Sequence, residues 1–280
     1  MSHAIIIPIY CENRNTINLC NELQNFGAEH IVVVNDGLNP KSEYFNELTS
    51  IGCHLVHLKN NNGKGASLKA GIKYAHDNLY NITGYITCDA DGQHTANDVM
   101  KISRMLDLRN GSLILGKRDY KKSKMPINIR IGNRLSSAYF KVITGKSCRD
   151  TQTGLRGIPA FLYDTVMKTK GSRFDFEMNF LTKCADMRVP FYFVNIIADC
   201  SNCSSNFRLI KDTYLIYRTP LRFATASIGC TIIDLVLFTI FAYILPSHMF
   251  FNIMLATLMA RVVSDNYEEV SANIMKNLKR

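Results

Sequence analysis

Ile31-Val32-Val33-Val34-Asn35-Asp36-Gly37 decides the fold of this 280-residue chain. Four consecutive branched aliphatics with no polar alternation describe a strand buried on both faces, and such strands belong to parallel sheets covered by helices. Runs of the same kind recur at residues 4–9, 55–58, 84–88 and 113–115. Between them the period changes. Residues 16–26 set Ile17, Cys20, Leu23 and Phe26 on one helical side, and residues 65–78 do the same with Leu68, Ile72 and Ala75. Alternating strands and helices predict an α/β architecture with a doubly wound, mostly parallel sheet. Ligands of such sheets bind outside the carboxyl ends of the strands. Tyr10, Asp36 and Asp89 all fall there.

The fourth run leads into Asp89-Ala90-Asp91-Gly92-Gln93-His94, which sends two carboxylates out of one strand end. Hard oxygen donors suit Mg or Mn, and such a cation takes one or two protein carboxylates while water and substrate phosphates fill its other positions. An acidic turn capping a strand is the alternative, since Asp and Gly are common turn residues. Two other phosphate cradles are excluded by spacing. No G-x-G-x-x-G follows the first strand, and Asn62-Gly63-Lys64-Gly65 lacks the G-x-x-x-x-G-K-[ST] pattern of a P-loop.

The motifs run in order: Ile5-Ile6-Ile7-Pro8-Ile9-Tyr10-Cys11-Glu12-Asn13, the Asp36-Gly37 strand end, Asn62-Gly63-Lys64-Gly65-Ala66, the Asp89 stretch, and Asp150-Thr151-Gln152-Thr153-Gly154-Leu155-Arg156-Gly157. Together they resemble the family 2 glycosyltransferases. Within these they look like the dolichol-phosphate-mannose-synthase-like branch, in bacterial members with a GtrA-like membrane domain behind the catalytic one. The resemblance spans nearly the whole chain. It implies a GT-A-type catalytic domain over residues 1–215 and a GtrA-like segment over residues 216–280. The implied reaction moves one hexose, with inversion, from a nucleotide sugar of the UDP-glucose or GDP-mannose type to a polyprenyl phosphate.

Roles follow from the same resemblance. Pro8, Tyr10, Glu12, Asp36, Lys64 and Asp89 are expected to bind the nucleotide sugar, although Cys11 stands where the family usually has Asn. Asp89, Asp91 and Gln93 are the expected ligands of the Mg or Mn. Asp150, Gln152 and Arg118 are the expected catalytic residues, with Asp150 orienting the acceptor rather than taking a proton. Glu177 looks like a further acidic site, or else it is an acid stabilising the start of a helix. Processive relatives bind their glycan through a Q-x-x-R-W element; this chain has no tryptophan, so a single transfer is expected.

A lipid phosphate needs no general base, because a second ionisation near about pH 6 leaves its attacking oxygen largely anionic. Positioning and charge compensation then carry catalysis, and arginine forks suit both. Arg118, Arg130, Arg134 and Arg208 are the candidates for holding that phosphate. The net charge of +10 is concentrated: between Lys117 and Arg149 the only acid is Asp119. Basic and apolar residues interleave over residues 117–149, as in a segment lying on anionic membrane lipid, with a solvated basic face as the alternative. Nucleic acid is not an expected partner. A homo-oligomer is compatible with the sequence.

Nine scattered cysteines, with no basic leader or cleavage site before the first strand, predict a reduced cytosolic setting. Cys200 and Cys203 lack the second pair a structural zinc would want. His54 and His57 are expected on opposite faces of a strand. From Arg222 the composition changes. Residues 223–245 form an apolar run of roughly 23 residues broken only by Asp234, enough to span a bilayer core of about 30 Å. Residues 249–263 form a second, shorter run. A transmembrane helical hairpin is expected, with Asp234 turned towards the second helix. It reads as a truncated GtrA-like segment that holds the enzyme at the cell membrane with its catalytic domain in the cytoplasm. The rival readings are a soluble transferase with another acceptor and a non-catalytic membrane adaptor.

Overall fold

The computed structural model describes residues 2–118, 127–173 and 175–197, together with eight helical positions between Thr231 and Tyr243. The chain divides into two compact units, Met1–Arg208 and Leu209–Arg280. In the first, seven strands form one sheet: β1 (Ser2–Ile9), β2 (His30–Asp36), β3 (His54–Leu58), β4 (Ile82–Thr87), β5 (Leu113–Arg118), β6 (Arg156–Pro159) and β7 (Phe191–Ile196), in the order β3-β2-β1-β4-β6-β5-β7. Among the described residues seven α-helices accompany them: α1 (Arg14–Asn25), α2 (Glu43–Ser50), α3 (Lys64–Asn78), α4 (Ala96–Leu108), α5 (Ile127–Thr144), α6 (Tyr163–Lys168) and α7 (Asp175–Asp186).

The strand runs read from sequence are all present. Alternate residues of each strand feed opposite layers. Ile5, Ile7, Ile31, Val33 and Ile86 pack with α1, α2 and α4, while Ala4, Ile6, Val32, Val34 and Tyr85 pack with α3, α6 and α7. An aliphatic run without alternation is what a strand covered on both faces demands. His54 and His57 divide as expected: His54 lies by Tyr74 of α3, and His57 meets Phe45 of α2 edge-on.

The sheet departs from the expected winding at one place. β6 is antiparallel to both β4 and β5 and separates them, so the sheet is mixed. Arg-Gly-Ile-Pro carries no apolar run to announce it, and β7 beyond it was equally unforeseen. The insertion matters for function, because it draws the segment before β6 against the end of β4.

The expected hairpin, with Asp234, falls outside the described residues except for those eight helical positions, as do Arg208, Cys200 and Cys203. Among the described residues no helix is long and apolar enough to cross a membrane.

Helix α3 lies so close to the sheet that a Cβ on Gly71 would stand 2.5 Å from Ile6 Cγ2 and 2.7 Å from Val34 Cγ2. Both neighbours are branched at Cβ and stiff. Gly71→Ala should therefore destabilise the protein by about 1–3 kcal/mol through overpacking. At an exposed helical position the same change would stabilise by up to about 1 kcal/mol. Urea unfolding reads the sign.

Candidate active site

The site is built where β4 ends. Thr87 donates its hydroxyl to the Gly154 carbonyl (2.8 Å), and the Cys88 N–H donates to Ile6 (3.0 Å), which fixes the backbone leading into Asp89. Gly154 then lies directly against the Asp89 carboxylate, so close that a Cβ there would overlap Oδ2. This position therefore takes glycine for reasons of space.

Two side chains converge on that carboxylate. Lys64 Nζ is 2.6 Å from Asp89 Oδ1 and 3.2 Å from Glu177 Oε1, while His94 Nε2 is 3.4 Å from Asp89 Oδ2. Burial alone would favour neutral Asp89, but Lys64 and His94 outweigh it and hold its carboxyl well below the usual range. The mirror statement holds for Lys64. Burial opposes its charge, and Asp89 and Glu177 nevertheless raise its pKa above that of an ordinary lysine.

Lys64 is seated by its neighbours. Gly63 has φ +92, and a Cβ on it would meet Arg173 Cγ at 2.6 Å, so the Asn62–Gly65 turn is pressed against the start of α7. Asp36 fastens the turn from the other side, accepting from the Asn62 N–H (2.8 Å) and the Gly63 N–H (2.9 Å). Asp36 is buried, and holding this turn is what its carboxylate visibly does.

Asp91 accepts from its near neighbour Gln93 twice, through the backbone N–H at 3.1 Å and through the side-chain amide. Burial first, and the Asp89 charge second, raise its pKa. Its backbone carbonyl accepts from Asn15 Nδ2 at 3.4 Å, which ties the Asp91 loop to α1. The oxygens of Asp89 and Asp91 are the hard donors that Mg or Mn prefers, and Gln93 sits beside them. Among the described residues no three His, Cys, Asp or Glu side chains gather into a closed metal cage. Such a donor set fits a cation that completes its shell with water and phosphate oxygens.

The Asp150–Gly157 segment is strapped down on three sides. Arg156 is fully buried and donates to the carbonyls of Thr153 (2.9 Å), Thr151 (3.1 Å) and Glu177 (2.9 Å). The Thr151 N–H donates to Asn133 Oδ1 (3.2 Å), and its hydroxyl is 2.8 Å from that of Ser136; both partners are on α5. Gln152 is partly exposed on the same segment.

Two of the expected site residues pair with each other. Asp150 is completely buried, and its oxygens take the Arg118 fork, Nε at 2.7 Å and Nη2 at 2.8 Å. Arg118, given above to an acceptor phosphate, is itself buried and turned to Asp150. The pair positions β5 against the loop, and neither residue presents its charge to the surface. Arg130 and Arg134 are exposed on α5, Tyr10 and Glu12 are exposed after β1, and Pro8 is buried within it. His94 and Arg156 had no assigned role; the signal for each was its place within a motif.

Asp150→Asn would remove the carboxylate charge that the buried Arg118 fork grips. We expect a loss of about 3–5 kcal/mol in a denaturant titration. Asp150→Asn combined with Arg118→Met should recover part of that loss.

This chain matches the family described as Glycosyl transferase family 2 over residues 4–164. It is 32% identical over 188 residues to an uncharacterized protein of Methanocaldococcus jannaschii, covering 63% of this chain and 73% of that one. It is 29% identical over 172 residues to the UDP-N-acetylglucosamine–dolichyl-phosphate N-acetylglucosaminyltransferase of Methanococcus voltae, covering 54% of this chain and 67% of that one. Among solved structures, glucosyl-3-phosphoglycerate synthase from Mycobacterium tuberculosis in complex with UDP is similar, with a TM-score of 0.61 at 12% identity over 79% of each chain. That likeness is one of fold, the mixed α/β sheet of GT-A glycosyltransferases. The matched span runs from β1 to α6 and holds Asp36, Lys64, Asp89, Asp91 and Asp150, so the chain belongs to glycosyl transferase family 2 and is a glycosyltransferase.

Proposed function

We propose that this glycosyltransferase moves a single hexose from a nucleotide sugar to a polyprenyl phosphate at the cytoplasmic face of the membrane, with inversion at the anomeric carbon. The observation that carries the reading is the charge arrangement at the end of β4. Lys64 and the Asp89–Asp91 pair meet in one partly open site, where a diphosphate would find both an ammonium and carboxylates able to hold a cation. Mg or Mn, held by Asp89 and Asp91 with Gln93 beside them, would supply charge neutralisation for the departing nucleoside diphosphate.

The protein's own residues divide the remaining work. Tyr10 and Glu12, exposed after β1, face outward at the carboxyl edge of the sheet where a nucleoside would lie, and Asp36 holds the turn that carries Lys64. The acceptor phosphate oxygen attacks the anomeric carbon as the bond to the diphosphate breaks. No proton need move, because that oxygen is already anionic. Arg130 and Arg134, one turn apart and exposed on α5, are the residues we assign to the acceptor. Arg118 and Asp150 act behind them as positioning residues.

The acceptor class draws support from the Methanococcus voltae relative, which is named for dolichyl phosphate. The apolar runs at residues 223–245 and 249–263 would anchor the chain beside such an acceptor.

A donor panel tests the reading. Membranes carrying the full-length chain are given UDP-glucose, UDP-N-acetylglucosamine or GDP-mannose with undecaprenyl phosphate, and lipid-linked sugar is scored. One donor should yield product, and excess EDTA should abolish it. Product formed only on water-soluble phosphates would move the acceptor out of the membrane, and transfer that persists in EDTA would remove the cation.

Asp91→Asn keeps the size of the side chain and removes its charge. Transfer should fall by about 10²-fold or more, since a missing charge at the leaving group acts chiefly on the transition state. The melting temperature should stay near that of the parent protein.

A further inference from the structure

Lys64 occupies the position on Asp89 that a divalent cation needs. Its ammonium is 2.6 Å from Oδ1, and a Mg ion on the same oxygen would sit about 2.0–2.1 Å away, so the two positive charges would be near neighbours. The other side of the carboxylate is already lined by His94 Nε2 at 3.4 Å and by the Gly154 backbone.

The base of Lys64 is fixed while its stem can turn. Asp36 grips the two N–H groups before it, and the Ala66 N–H donates to the Ser172 carbonyl at 2.9 Å just after it. Four methylenes then carry the ammonium, and Glu177 Oε1 lies 3.2 Å from it. Glu177 is a second carboxylate within reach, so Lys64 can release Asp89 without being left buried and unpaired.

We propose that Lys64 is an internal counter-cation that keeps a divalent ion off Asp89 until a nucleoside diphosphate is present, so that metal and donor load together. The proposal rests on the nucleotide-sugar reading above. A diphosphate offers the ammonium new anionic oxygens beside Glu177, and Asp89 then becomes open to the metal. Because coupling between two ligands is reciprocal, the metal in turn tightens the donor.

The test is Mn²⁺ binding to the full-length protein, read by the free-ion EPR signal with and without UDP or GDP. Parent protein should bind Mn²⁺ at least about tenfold more weakly without nucleotide. Lys64→Gln should tighten nucleotide-free binding by about tenfold and shrink the effect of the nucleotide. Lys64→Arg, which keeps the charge, should bind as weakly as the parent. Lys73→Gln is the control for general charge, since Lys73 lies on the same helix and pairs with Asp77 at 2.6 Å; it should change nothing. A thermal melt confirms that each variant is folded. Parent protein that binds Mn²⁺ equally with and without nucleotide overturns the proposal with no variant required. A folded Lys64→Gln protein that binds no tighter than the parent also overturns it, while nucleotide-dependent Mn²⁺ binding leaves the nucleotide-sugar reading standing. Failure of both nucleotides to bind with Mn²⁺ removes the two readings together.

Discussion

A guanidinium keeps its charge in any protein environment and carries five N–H donors, so burying one completely commits the surrounding backbone to receive it. Among the described residues Arg156 is the largest side chain fully withdrawn from water, and the carbonyls of Thr151, Thr153 and Glu177 receive it. One residue thus fixes the loop before β6 relative to the first turn of α7. Gly154 is set against Asp89 by the loop, and Glu177 is set against Lys64 by the helix. Removing Arg156 would release both.

A second constraint works across the same ground. Asp89, Asp91, Glu177 and Asp150 are four carboxylates in one region, and their repulsion is met locally by Lys64, His94, Gln93 and Arg118. The compensation is asymmetric. Asp150 is sealed with its arginine in the interior, whereas Asp89 and Asp91 remain partly open at the strand end. The sealed pair shapes the site, and the open carboxylates are available to a ligand.

The strands were legible because burial on both faces leaves an unmistakable aliphatic run, as at Ile31–Val34, and the helices between them followed by period. β6 was not, since Arg-Gly-Ile-Pro is short, carries a charge and pairs antiparallel on both sides. In the site, Asp89 and Asp91 were legible as a pair, and Lys64 as part of a motif. That Lys64 touches Asp89 depends on how α3 sits over the sheet, which spacing does not record. Asp150 and Arg118 were read as separate actors because 32 residues part them in the chain; only the β5–β6 register makes them partners. On α5 the polarity of the two sides is not read from composition: Ile131, Leu135 and Val142 face outward, and the polar Asn133 and Ser136 face in, bonded to Thr151.

The antiparallel insertion of β6 also sets the order in which this molecule can fold. Strands β1 to β4 can pair as soon as residue 87 has been made, because each lies beside an earlier one. β5 cannot join them. Its link to β4 is a four-residue strand some forty residues further along the chain, so one edge of the young sheet keeps its N–H and C=O groups unpaired until residues 156–159 arrive. Closing that edge is a non-local event and correspondingly slow. The same event lays Gly154 on Asp89 and puts Arg118 on Asp150. A chain in which β6 has not yet paired therefore has the first half of the sheet without the assembled site.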